Sequence, residues 1–389
     1  MEGLRNFADS ILPKNWRATC WSLLASGQKS EQASTRIPSI ESFRVLAIFA
    51  VILWHTGFVA GLSRLAGGSF PIVLTGYLVW WVGVPYFFIT AGYFFHRSVL
   101  AHGNPTTHFR RCVFPLAWIF FWWMCIYIVV PPGWSAEILR NGLWQPFYST
   151  ALQNVELLRT QHISLFLAGH VPVFHLWFLP ALMFSLAILT FVAICRLEGY
   201  LIFLVICLFV LAFTEKAVGG FVPNSNLRFG TWSIALLLTA MGWLIAEREQ
   251  PSTTMAWILI VSGYAFALLE GVVMNTVFHI SLQDLKWHYF LGGIILGLGI
   301  FLLALAKPKL GESTPFPFLA QFTLGVYVSH ILVVYTLNPI ISRLHVPLRG
   351  ALVGVVVYAL SILLTVVLAR VPVVRYLVVK PAQRYQLKV

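Results

Sequence analysis

Repeated apolar runs of about twenty residues dominate this sequence, and a run of that length crosses the hydrocarbon core of a bilayer. Inside that core every backbone N–H and C=O must be bonded internally, which leaves helices or a closed barrel. The runs are continuous, not ten-residue and alternating, so the pattern predicts helices. Only 10% of the 389 residues are charged and 59% are hydrophobic, whereas a soluble domain carries about 25% charged residues. The expected fold is all-α, a polytopic integral membrane protein of about ten transmembrane helices.

The spans read as about 40–61, 71–95, 112–131, 174–196, 199–214, 229–247, 253–272, 287–306, 316–336 and 350–370. Residues 40–370 thus form one membrane domain between an N-terminal tail, 1–39, and a C-terminal tail, 371–389. The segment ILPKNWRATCWSLL within the first tail has the tryptophans and basic residues of an interfacial stretch. That tail does not read as a cleavable leader, because Lys14, Arg17 and Ser22 interrupt its apolar part. The longest connection, 132–173, predicts a local helix over Trp144–Ala168 lying against the bilayer.

Charge placement gives an orientation. The formal net charge is +13, but the basic residues are scattered among the connections, which speaks against a nucleic-acid surface. With the N-terminus inside, seventeen Lys and Arg fall on cytoplasmic segments and seven on external ones. That bias predicts both termini in the cytoplasm. The five cysteines lack metal-ligand spacing, and no phosphate-cradling glycine loop or nucleophile elbow occurs. No metal and no bound cofactor are expected.

Ionisable residues inside the spans carry the chemistry, because burying them in lipid is costly. Arg44 and His55 lie eleven residues apart in ESFRVLAIFAVILWHTGFVAG. Eleven helical steps pass a whole number of turns by only about 20°, so the two share a face roughly 16 Å apart along the axis. His175 and His330, from two other spans, fall at the same outer depth as His55, whereas Arg97, Arg110 and Arg111 gather inside. A histidine titrates near neutrality and can take a hydroxyl proton; a cationic cluster can anchor an anionic donor. The plainer account is that Arg44 snorkels to the interface and His55 is a hydrogen-bonded packing residue. Likewise Arg110 and Arg111 serve equally as topology signals, and Trp177 as an interfacial anchor. Glu270 and Asp284 read as interfacial.

The segment Arg44-x10-His55 resembles the signature of the acyltransferase type 3 family of polytopic membrane acyltransferases. VPYFFITAGYFF (Val84–Phe95), RRCVFP (Arg110–Pro115), HLWFLPAL (His175–Leu182) and LGVYVSHIL (Leu324–Leu332) match further pieces, in the family's order. The resemblance implies transfer of an acyl group, commonly acetyl from acetyl-CoA, to a hydroxyl or amine of a cell-surface glycan, peptidoglycan or lipid-linked sugar. By that similarity His55 is catalytic, with Arg44 in a supporting or donor-binding role. Two departures stand out. Relatives often have two arginines three residues apart where this chain has adjacent Arg110 and Arg111, with His108 three before Arg111. Ala91-Gly92 also stands where a serine usually precedes the glycine.

The resulting expectation is a plasma-membrane enzyme, in a bacterial inner membrane. It holds acyl-CoA as donor substrate on Arg97, Arg110, Arg111 and Arg44, and does its chemistry at His55, as base or as transient acyl carrier, with His330 and His175 beside it. His175, Trp177, Trp144 and Tyr148 offer surfaces to a sugar acceptor. Expected partners are acyl-CoA, a glycan or lipid-linked sugar, membrane lipid and polysaccharide-assembly machinery. The rival reading is a proton-coupled transporter with the histidines as a relay, which would bring paired broken helices and a half-to-half repeat; neither is visible.

Overall fold

The computed structural model describes residues 36–65, 67–160, 173–207, 210, 229–279, 291–341, 349–372 and 374–378. Among these residues there are helices and connections but no strand. In chain order the helices are α1 Pro38–His55, α2 Phe58–Leu65, α3 Phe70–His102, α4 Pro105–Val129, α5 Trp134–Asn141 and α6 Gln145–Thr160. They continue with α7 Phe178–Ile194, α8 Glu198–Cys207, α9 Phe229–Ile245, α10 Thr253–Thr276, α11 Leu291–Ala306, α12 Thr323–Ile341 and α13 Arg349–Arg370.

Seven helices among the described residues are long and apolar enough to cross a membrane. Three shorter apolar helices, Glu198–Cys207, Trp232–Ile245 and Leu291–Ala306, lie at the fifth, sixth and eighth predicted spans. Each of these three adjoins residues outside the described ones. The all-α, multi-pass membrane architecture therefore stands, with seven spans of full length among the described residues. The interfacial N-terminal stretch, the part of Trp144–Ala168 beyond Thr160, and Asp284 lie outside the described residues.

Helix boundaries depart from expectation where local chemistry is strong. The first predicted span continued to residue 61, but α1 ends at His55. Thr56 and Gly57 stop it: the Thr56 hydroxyl donates to the carbonyls of Leu53 and Gly350, and Gly57 takes φ +76°. That is a left-handed geometry cheap only for glycine. The third predicted span began at residue 112, but α4 starts at Pro105, with Asn104 accepting from the Thr107 N–H at 3.0 Å. An Asn cap followed by Pro is a strong start signal. It places Arg110 and Arg111 on the helix, not ahead of it.

Helix α3 is the hub, packing on α1, α9 and α11, while α1 packs in turn on α12 and α13. The α3–α9 contact is backbone against backbone. A Cβ on Gly92 would sit 1.8 Å from the Thr239 carbonyl oxygen, and one on Gly242 would sit 2.0 Å from the Ile89 oxygen. Lipid supplies no hydrophobic drive between helices, so small residues that admit such approach supply the dispersion that holds them.

Candidate active site

A single cavity of about 360 Å³ runs along α1 and is lined by both Arg44 and His55. The shared face expected from their spacing is therefore real. Arg44 stands two turns into α1, where its guanidinium holds both carboxylate oxygens of Glu41 at 3.1 and 2.9 Å. Phe94, Ser98, Cys112 and Leu116 line the cavity from α3 and α4, and His175, Trp177 and Phe178 line it from the entry to α7.

Three imidazoles cluster here, His55 and His175 in the cavity wall and His330 packed behind them. The His55 ring lies 5.2 Å from that of His330 and 6.3 Å from that of His175, and His175 and His330 are 4.9 Å apart, centroid to centroid. His175 and His330 are buried, at 5% and 0% exposure, whereas His55 is half-buried. His330 Nδ1 lies 2.6 Å from the Tyr327 carbonyl oxygen and 3.2 Å from that of Val326. A carbonyl only accepts, so Nδ1 carries the proton and Nε2 keeps its lone pair. That Nε2 is buried without a partner, a costly arrangement unless a proton donor is presented to it. Among the described residues no group of three or more His, Cys, Asp or Glu side chains is disposed to hold a metal ion.

Two tyrosines, Tyr127 and Tyr327, frame this cluster; only Tyr327 lies in a segment already matched by its sequence. The Tyr127 hydroxyl donates to the Val328 carbonyl at 2.8 Å and accepts from the Leu332 N–H at 3.1 Å. Those two groups are i and i+4 on α12, so the Tyr127 oxygen bridges the helical turn around His330 and ties it to α4. The Tyr327 hydroxyl donates to the His175 carbonyl. Thr90, also in the cavity wall, is 5% exposed and its hydroxyl has no partner. Thr190, Thr239 and Thr365 all bond back to the carbonyl four residues earlier, and Thr90 does not.

The remaining expected residues divide. Trp177 is buried in the cavity wall, its ring 6.0 Å from that of Phe88. Arg97 is exposed beside Ser98, and its guanidinium reaches the Tyr93 hydroxyl at 3.3 Å. Arg110 and Arg111 are exposed on α4, outside the cavity lining. Arg110 is about 200° around the helix from Cys112, which faces the cavity, but only about 40° from Phe114. Its guanidinium lies over the Phe114 ring at 5.9 Å. His108, about 40° from Cys112, is the buried member of that segment. Trp144 is 79% exposed at the α5–α6 junction, away from the cavity lining. Glu270 caps α11, accepting from the Leu291 and Gly292 N–H groups at 3.0 and 2.7 Å, a structural task.

Fold and cavity together define a class: a multi-pass helical membrane protein whose internal chamber is walled by a guanidinium and clustered imidazoles. A family model described as an acyltransferase domain, that of the type 3 acyltransferases, matches residues 37–370. The chain belongs to that family and is a membrane acyltransferase by membership. Comparison with curated proteins and with solved structures gives no match.

Proposed function

We propose that this acyltransferase moves an acyl group, acetyl in the simplest case, from cytoplasmic acyl-CoA to a hydroxyl of a cell-surface or lipid-linked glycan. The reaction would take place in the plasma membrane. The observation that carries this reading is the one cavity lined by both Arg44 and His55, with His175 and His330 packed around His55. An arm entering past Ser98 and Cys112 would travel roughly 16 Å along α1 from the guanidinium to the imidazole. A fixed cation at the entrance and a base at the far end suit a donor that is anionic at one end and reactive at the other.

In this mechanism the CoA phosphates rest at the arginine-bearing mouth, on Arg97, Arg111 and the free edge of Arg44. Glu41 holds the Arg44 guanidinium in place from its other edge. A ring nitrogen of His55 takes the proton of the acceptor hydroxyl as its oxygen bonds to the thioester carbonyl carbon. Collapse of the tetrahedral intermediate breaks the carbon–sulfur bond, and the proton passes from the imidazolium to the leaving sulfur. The lone pair of His330 Nε2 receives the second N–H of His55 while that ring is charged, which keeps it oriented. Thr90 offers its hydroxyl to the donor arm or the carbonyl oxygen. Trp177 and His175 shape the acceptor end.

Reconstitution with acyl-labelled acetyl-CoA tests the reading, comparing wild type with His55→Ala and Arg44→Gln. Label transferred or hydrolysed by wild type and lost in His55→Ala supports it. Equal turnover by wild type and His55→Ala refutes it, and proton-driven solute uptake without any acyl donor replaces it with transport.

A further inference from the structure

On the face of α4 opposite the cavity, Phe114, Pro115, Trp118 and Tyr376 enclose a groove of about 380 Å³. Its walls are apolar rings, with Phe114 and Trp118 exposed by 64% and 52%. Its rim is cationic. The Arg110 guanidinium lies over Phe114 at 5.9 Å, and that of Arg375 lies over Tyr376 at 5.0 Å. Neither arginine makes an ion pair among the described residues, and the Arg375 Nε is buried without a partner. The segment that builds the far wall is anchored, because Trp123 Nε1 donates to the Leu377 carbonyl at 2.9 Å and Val378 is buried. Residues 371–389 carry four basic residues and no Asp or Glu, so this tail offers no acidic side chain to the rim.

We infer that this groove binds one anionic phospholipid, its acyl chain against Phe114, Trp118 and Tyr376 and its headgroup phosphate between Arg110 and Arg375. Charge complementarity selects the occupant. A zwitterionic lipid leaves the two guanidiniums uncompensated, and a soluble anion leaves the aromatic wall uncovered. Cations near an anionic leaflet gain about 1 kcal/mol each, or about fivefold in affinity. The site turns Arg110 away from the acyl donor and ties the segment after α13 to the lipid around α4.

The test is native mass spectrometry of the full chain released from nanodiscs holding a phosphatidylcholine and phosphatidylglycerol mixture, with Arg375→Gln, Arg110→Gln and the double variant alongside. Wild type is expected to retain one phosphatidylglycerol, about fivefold less in each single variant and about thirtyfold less in the double. Arg375→Lys, which keeps the charge, should retain it. Circular dichroism and size-exclusion profiles certify the fold of each variant. Equal retention of both lipids by wild type, or retention unchanged in the double variant, overturns the proposal. So does a raised donor KM in Arg110→Gln or Arg375→Gln with lipid retention intact, which would assign the arginines to the acyl donor.

Discussion

Tyr127→Phe removes a single oxygen, one that ties the α12 turn around His330 to α4 by bonding both the Val328 carbonyl and the Leu332 N–H. Two hydrogen bonds of about 0.5–1.5 kcal/mol each are lost with it, about 1–3 kcal/mol in all. A shift of the untied turn by on the order of 1 Å, carrying His330 from its place 5.2 Å, ring to ring, from His55, is enough to cost up to about a hundredfold in rate at a positioned catalytic group. The assay is turnover of labelled acetyl-CoA in nanodiscs, with thermal unfolding measured on the same sample. The expected result is kcat down about 10- to 100-fold, donor KM within twofold, and a modest fall in Tm. Unchanged kcat with a lowered Tm would refute the argument, since Tyr127 would then support the bundle without placing the histidine.

Other substitutions probe separate parts of the site. His55→Ala should lower label transfer by about 10²–10⁴-fold, the range of a lost general base, measured as radiolabel on the acceptor. His330→Ala should cost about 10- to 150-fold in kcat, one charge-assisted hydrogen bond of about 1.5–3 kcal/mol; His330→Gln, with a carbonyl acceptor, should recover part of it. Arg97→Gln and Arg111→Gln should each raise donor KM several-fold with kcat preserved, in steady-state kinetics across donor concentration. Gly92→Ala would set a methyl 1.8 Å from the Thr239 carbonyl oxygen. That forces α3 and α9 apart at a cost of about 3 kcal/mol or more, read as a fall in the thermal unfolding midpoint.

Much of this molecule is written in local terms. The apolar runs committed the chain to membrane helices, because unbonded backbone cannot stay in lipid. A period of 3.6 residues put Arg44 and His55 on one face wherever α1 formed, and both line one cavity. Boundaries were less legible, although their signals were local. Asn104-Pro105 is a cap that starts α4 seven residues before the apolar run does, and Thr56-Gly57 ends α1 at His55. Hydropathy averages over such signals, since one polar cap among many apolar residues scarcely moves a window.

Tertiary structure alone decided what surrounds the histidine. His175 and His330 are 120 and 275 residues from His55, and matching depth is not contact until helices pack. Their convergence rests on α12 lying against α1 and on the turn before α7 reaching the same chamber. Tyr127 was invisible beforehand because a tyrosine in an apolar run announces no partner, and its role exists only where α4 meets α12. Arg110 teaches the converse. Sequence adjacency placed it with Arg111 and the donor, whereas two residues along a helix is just over half a turn, and packing gave the cavity to Cys112 and the opposite face to Arg110.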